Sequence, residues 1–286
     1  MDMTLGFFIS LIWPVSSQAL KRDHKALTLA QELGHPFTLA AALGTSAMFY
    51  QYRREEQLMQ EQIEANQKIS GEHGFALYMM MGTFLQAWAL TEHRQVDKGI
   101  TQIQQCLTTV RALGVELLLP YWLLLLAEAH GKGGQPEEGL RVLAEALAMV
   151  DKNGERRWEA ELYRLKGTLT LQQFQVSSSR FQVQENQKSK GKGQRAKITN
   201  SQSPTPNPQA EAEAEACFLK AIEVARRQSA KSWELRATVS LTRVWQSQGK
   251  RKEAHKLLSE IYDWFTEGFD TKDLQEAKAL LGELQR

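Results

Sequence analysis

The side chains of this 286-residue chain that could do chemistry are six histidines, two cysteines and some adjacent carboxylates. His24, His35, His73, His93, His130 and His255 never fall in an HExxH pattern or any close ligand pair, so their spacing builds no metal site. Cys106 and Cys217 are too few for a disulfide framework, and neither has a sequence partner that would make it a nucleophile. Glu55-Glu56 and Glu137-Glu138 open helical stretches, where negative charge suits the helix dipole. Gly131-Lys132-Gly133-Gly134 and Gly191-Lys192-Gly193 pair glycines with lysine but lack the GxxxxGK[ST] spacing of a phosphate loop. The expectation is therefore a chain that is not an enzyme and has no cofactor, metal or catalytic residue.

The elements that would carry these residues repeat. Gly34, Gly74, Gly114 and Gly154 stand at intervals of 40, each between two helical patterns, where a residue with positive φ can end a helix. Ala47, Ala87, Ala127 and Gly167 share the step, as do Ile63, Ile103 and Leu143, and Asn66, Cys106 and Ala146. Four registers on one period identify an internal repeat, which decides the architecture. Within a unit a small residue is followed at 12, 16 and 19 positions by a small–large–small set, as in Ala87, Gly99, Ile103 and Cys106. Helical spacing places a lone helix near 17–33 and five helix pairs. These are 36–52 with 55–72, 75–92 with 95–113, 117–132 with 135–152, 155–174 with 209–228, and 231–248 with 250–266, before a terminal helix near 271–285. No stretch alternates with period two long enough to make a sheet. The reading is an all-α solenoid.

Two segments break the pattern. Residues 175–209 are rich in Ser, Gln, Lys and Pro and hold six Lys or Arg against the single Glu185, a balance of +5 in a chain whose net charge is +2. With little to bury, this basic stretch reads as a disordered insertion between the two helices of one repeat. Phe181 is its one aromatic, so it has no stacking platform and no specific nucleic-acid partner is expected. The apolar run Leu5–Val15 is too short to cross a bilayer and lacks the leading positive charge of a signal peptide. Residues 1–16 read instead as the remnant of a preceding helix. With 42% hydrophobic and 24% charged residues, no membrane span and few cysteines, a reducing cytoplasm is the expected compartment.

The helix-pair spacing resembles the tetratricopeptide (TPR) unit, lengthened here to 40 residues and without the usual closing proline. Three phrases resemble a more particular group: Glu159-Ala160-Glu161-Leu162-Tyr163-Arg164-Leu165-Lys166-Gly167, Gly134-Gln135-Pro136-Glu137-Glu138-Gly139-Leu140, and Trp264-Phe265-Thr266-Glu267-Gly268-Phe269-Asp270 with Asp273-Leu274 behind it. They are similar to the C-terminal TPR-like array of large bacterial signalling proteins, which carry an adenylate/guanylate cyclase or kinase domain and a STAND/AAA-type ATPase. The resemblance covers about 17–174 and 209–286, and it implies a right-handed TPR-like α-solenoid in bacterial signal transduction. It brings no catalytic domain with it.

What remains is surface. In a TPR superhelix the first helix of each pair lines the concave face, at positions six and three before the small residue and one after. That assigns Met81, Phe84 and Trp88 to the second pair, Tyr121 and Glu128 to the third, Arg164 to the fourth, and Arg236 and Arg243 to the fifth. Met81, Phe84, Trp88 and Tyr121 are expected to form one apolar patch, since aromatic, Met and Arg mixtures favour interfaces. The competing reading packs Phe84 and Trp88 between neighbouring repeats. The function expected is a scaffold that binds a peptide or protein partner in this groove. The alternative is a regulatory array acting in cis on an ATPase or cyclase-type signalling domain.

Overall fold

The computed structural model describes residues 17–190 and 207–286. Among these residues are twelve α-helices, one 3-10 turn and no strand. Helix α1 (Ser17–Leu33) precedes five antiparallel pairs: α2 (Pro36–Arg53) with α3 (Glu56–His73), α4 (Ala76–Glu92) with α5 (Val96–Ala112), α6 (Leu119–Lys132) with α7 (Pro136–Asn153), α8 (Glu159–Lys190) with α9 (Pro208–Arg227), and α10 (Lys231–Ser247) with α11 (Arg251–Tyr262). A 3-10 turn, Arg156–Trp158, leads into α8, and α12 (Lys272–Gln285) ends the array. The all-α solenoid read from the spacing is the observed architecture.

The punctuation comes from residue chemistry. Gly34, Gly74, Gly114 and Gly154 all adopt positive φ, between 62° and 75°, where a side chain would be strained. Pro36, Pro136 and Pro208 begin their helices, where the missing N–H has no intrahelical partner to lose. Asn207 caps α9, its side-chain oxygen accepting from the backbone N–H of Gln209 at 2.9 Å. A second series at the turn inside each pair is less obvious: Arg54, Arg94 and Gly134 also step by 40 and share φ of 61–68°. Two arginines thus occupy a conformation usually left to glycine.

The small positions are where paired helices cross. A methyl added at Gly99 would lie 2.7 Å from the carbonyl oxygen of Ala87, and one at Gly139 would lie 3.0 Å from that of Ala127. At Gly167 the same atom would sit 3.0 Å from the Ala214 carbonyl oxygen and 2.7 Å from Phe218. The register therefore carries across the interruption between α8 and α9.

The interruption itself is shorter than the composition suggested. Helix α8 continues to Lys190, so the first part of the stretch expected to be disordered is helical. Gln175–Lys190 contains no Gly or Pro, and the first helix breaker after Gly167 is Gly191. The expected N-terminal remnant, 1–16, lies outside the described residues.

Each first helix of a pair touches its own partner and also the first helices before and after it, so α2, α4, α6, α8, α10 and α12 follow one another along the inside. The winding brings the two ends together. Arg54, at the end of α2, pairs with Glu276 of α12 at 2.7 Å and with Asp273 at 3.5 Å. Arg236 of α10 donates to the backbone oxygen of Tyr52, and the Tyr52 ring meets Trp233 edge-on, centroids 5.2 Å apart. A repeat array ordinarily makes contacts only between neighbours. Here the first pair touches the last.

Candidate recognition cavity

The six inner helices surround a cavity of about 360 Å³. That is within the roughly 300–1,000 Å³ typical of small-molecule sites. Its aromatic wall comes from Tyr50 and Tyr52 of α2, Trp88 of α4, Tyr121 of α6 and Trp233 of α10. Behind it Trp158 lies between Tyr52 and Tyr121, with centroids 5.4 and 4.9 Å away. This cluster is fixed by packing: Tyr121 and Trp158 are fully buried, and the Tyr121 hydroxyl donates to Gln51 at 3.1 Å.

The polar wall is ionic. Glu55, Glu56, Glu92, Glu128, Glu161, Asp273 and Glu276 face Arg54, Lys132, Arg164, Arg236, Arg243 and Lys272. Arg164 binds Glu161 through two parallel hydrogen bonds, Nε at 2.8 Å and Nη2 at 2.6 Å. Arg236 donates from Nε to Asp273 at 2.7 Å. Lys132 joins Glu128 at 2.8 Å and also pairs with Glu92. The Trp88 indole N–H donates to the other Glu128 oxygen at 3.0 Å, and Lys132 lies over the Trp88 ring. Arg53 engages Glu55, and the His93 ring engages Glu56.

Burial and pairing act against each other here. Burial would raise the Glu128 carboxyl, but Lys132 and the Trp88 N–H outweigh it and hold the group below its usual range. Burial would likewise lower Arg164 and Arg236, yet Glu161 and Asp273 more than compensate and both rise. Pairs this deep add little net stability, but removing one partner strands a charge, at about 3–5 kcal/mol. Their consequence is geometric, since they fix which donors remain free.

Of the residues assigned to the groove from sequence, Trp88, Tyr121, Glu128, Arg164, Arg236 and Arg243 do line the cavity. Met81 and Phe84 do not. Phe84 is fully buried and stacks on Trp122 of the next inner helix, centroids 4.3 Å apart, and Met81 is buried beside Gly44. The single apolar patch expected of Met81, Phe84, Trp88 and Tyr121 is therefore split. An inner helix has neighbours on three sides, so its apolar stripe is wider than one groove-facing face. Trp88 and Tyr121 combine both placements, buried by neighbouring repeats while still reaching the cavity wall.

Sequence reasoning missed Tyr52, Arg54, Lys132, Trp233, Lys272, Asp273 and Glu276. Arg54 carried a signal, being in step with Arg94 and Gly134 at the turn. Lys132 is placed by its own helix and the repeat before it, whereas Tyr52, Trp233, Asp273 and Glu276 meet because the array closes. Among the described residues no three His, Cys, Asp or Glu side chains group to hold a metal. No helix among them is long and apolar enough to cross a membrane.

No family model matches the chain. An uncharacterised protein of Rhizobium meliloti is 25% identical over 168 residues, which is 59% of this chain. The match spans 16% of that protein's length, so the similar segment there is a small part of a much larger molecule.

Proposed function

We propose that this chain is a non-catalytic recognition module, a TPR-like scaffold that binds a protein or peptide partner on the inner surface of its array. The observation that carries the reading is convergence: inner helices from all five pairs, with α12, contribute side chains to one cavity. A cavity of this size receives a side chain, a chain end or a small molecule, and is too small for a folded element. Its ionic groups are held in fixed positions by pairing, which suits selection of one geometry. Both cysteine thiols are pushed up by burial, away from reactivity.

A second reading has its own support. The relative carries the similar segment as a sixth of its length, which fits a regulatory array working in cis within a larger signalling protein. On that reading the partner is an ATPase or cyclase-type domain.

Capture by the tagged full chain, compared with Arg243→Glu, tests the module. Arg243 is exposed and has no ion pair or hydrogen bond among the described residues, so its reversal leaves the fold intact. A specific partner recovered by wild type and lost with Arg243→Glu supports recognition at the cavity. Recovery unchanged by the reversal places the recognised surface elsewhere. An ATPase-type protein as the partner lost favours the regulatory reading.

A further inference from the structure

The cavity wall is not balanced in what it still offers. Every carboxylate on it already has a cationic or imidazole partner, and both oxygens of Glu161, Asp273 and Glu128 are engaged. Beside Arg164 and Arg236 the acceptors are thus used up, while Glu55, Glu56, Glu92 and Glu276 each keep one oxygen. The arginine donors are not used up. Arg164 spends Nε and Nη2 on Glu161, and Arg236 spends Nε on Asp273 and Nη2 on Tyr52. The Nη1 group of each has no hydrogen bond among the described residues, and neither is sealed from the cavity. Arg243 lies two turns beyond Arg236 on the same stripe of α10, at the exposed rim and wholly unpaired.

Resting on the recognition reading above, we infer that the cavity binds an oxyanion, a carboxylate or phosphate group, seated between Arg164 and Arg236 and contacted from the rim by Arg243. Arg164 and Arg236 are half-buried on one cavity wall, each bound on one side by its own carboxylate, and an anion placed between them would meet both cations at once. Their planar forks suit two-oxygen groups, and each is pre-oriented by its carboxylate, so little side-chain freedom is lost on binding. A cation at the same place would find Glu161 and Asp273 occupied and the indole faces covered, since Lys132 lies over Trp88 and Arg236 over Trp233. The apolar part of a ligand would lie on Leu124 and Val239.

The test titrates the full chain with sodium phosphate at constant ionic strength and follows the thermal midpoint. Parallel arms use succinate, a capped hexaglutamate peptide and tetramethylammonium. The inference expects a saturable rise with phosphate or succinate, weakened several-fold in Arg243→Gln and at least tenfold in Arg164→Lys. The lysine keeps the charge beside Glu161 but loses the fork. A response confined to the peptide assigns the oxyanion to a partner chain, and a response to the free ions assigns it to a small molecule. Flat titrations in every anion arm, a saturable response to tetramethylammonium, or unchanged affinity in both variants would overturn it. Partner capture that survives such a failure leaves the recognition module standing without the oxyanion.

Discussion

The early and late inner helices have the same backbone register and use it differently. In α4 and α6 several large side chains pack sideways: Phe84 stacks on Trp122, and Leu123 is fully buried. In α8, α10 and α12 the corresponding inner positions hold Arg164, Glu161, Arg236, Arg243 and Asp273, and these face the cavity. Residues typical of interfaces, aromatics with methionine, are thus spent on the core of the early repeats. Charges from both halves line the cavity, but the arginine donors left to meet a ligand, on Arg164, Arg236 and Arg243, lie on the later helices. Composition alone does not separate the two uses, because a helix flanked by others on three sides needs aromatic bulk on faces that a groove assignment treats as open.

The largest effect expected from this contrast is at Phe84. Phe84→Ala removes a fully buried ring from its stack on Trp122, and should cost about 3–5 kcal/mol of stability in urea unfolding. A variant within about 1 kcal/mol of wild type would make Phe84 a surface residue and erase the contrast.

Gly167 tests whether the late repeats keep the early register. In an ordinary helix Gly→Ala stabilises by about 1 kcal/mol. At Gly167 the added methyl meets Phe218 and the Ala214 backbone, so Gly167→Ala should instead destabilise by about 1–3 kcal/mol. Stabilisation by the substitution would mean that α8 and α9 do not cross there.

Those two positions also show how much the sequence disclosed. The glycines and alanines at forty-residue steps report backbone geometry directly, through positive φ or close helix approach, so the pairs, their turns and the crossing beyond the interruption were legible. The closure was not. It arises from small rotations accumulated over five pairs and joins Tyr52 to Arg236 and Arg54 to Glu276, contacts with no sequence periodicity. For the same reason Asp273, Glu276 and Trp233 gave no sign of belonging to the cavity. The extent of α8 was obscured differently, because its polar composition resembled a linker while its lack of Gly and Pro allowed the helix to run on.

The smallest effect concerns the two strained arginines. Arg94 is exposed, has no partner among the described residues and holds φ of 62°, so Arg94→Gly should relieve strain and stabilise by about 0.5–1 kcal/mol. Arg54 holds φ of 61° but binds Asp273 and Glu276, so Arg54→Gly should lose in closure what it gains in strain. Chemical denaturation of the two variants side by side checks this. Equal stabilisation of both would show that the contact between the first pair and α12 contributes nothing.

The division between a packed early surface and a receptive late one is tested most directly by one paired measurement. Phe84→Leu and Arg243→Gln are each assayed for urea midpoint and phosphate affinity on the same preparations. The expected pattern is a crossed one: Phe84→Leu lowers the midpoint and leaves affinity unchanged, while Arg243→Gln leaves the midpoint unchanged and weakens phosphate several-fold. The reverse pattern, with affinity lost at Phe84 and stability lost at Arg243, would contradict the account.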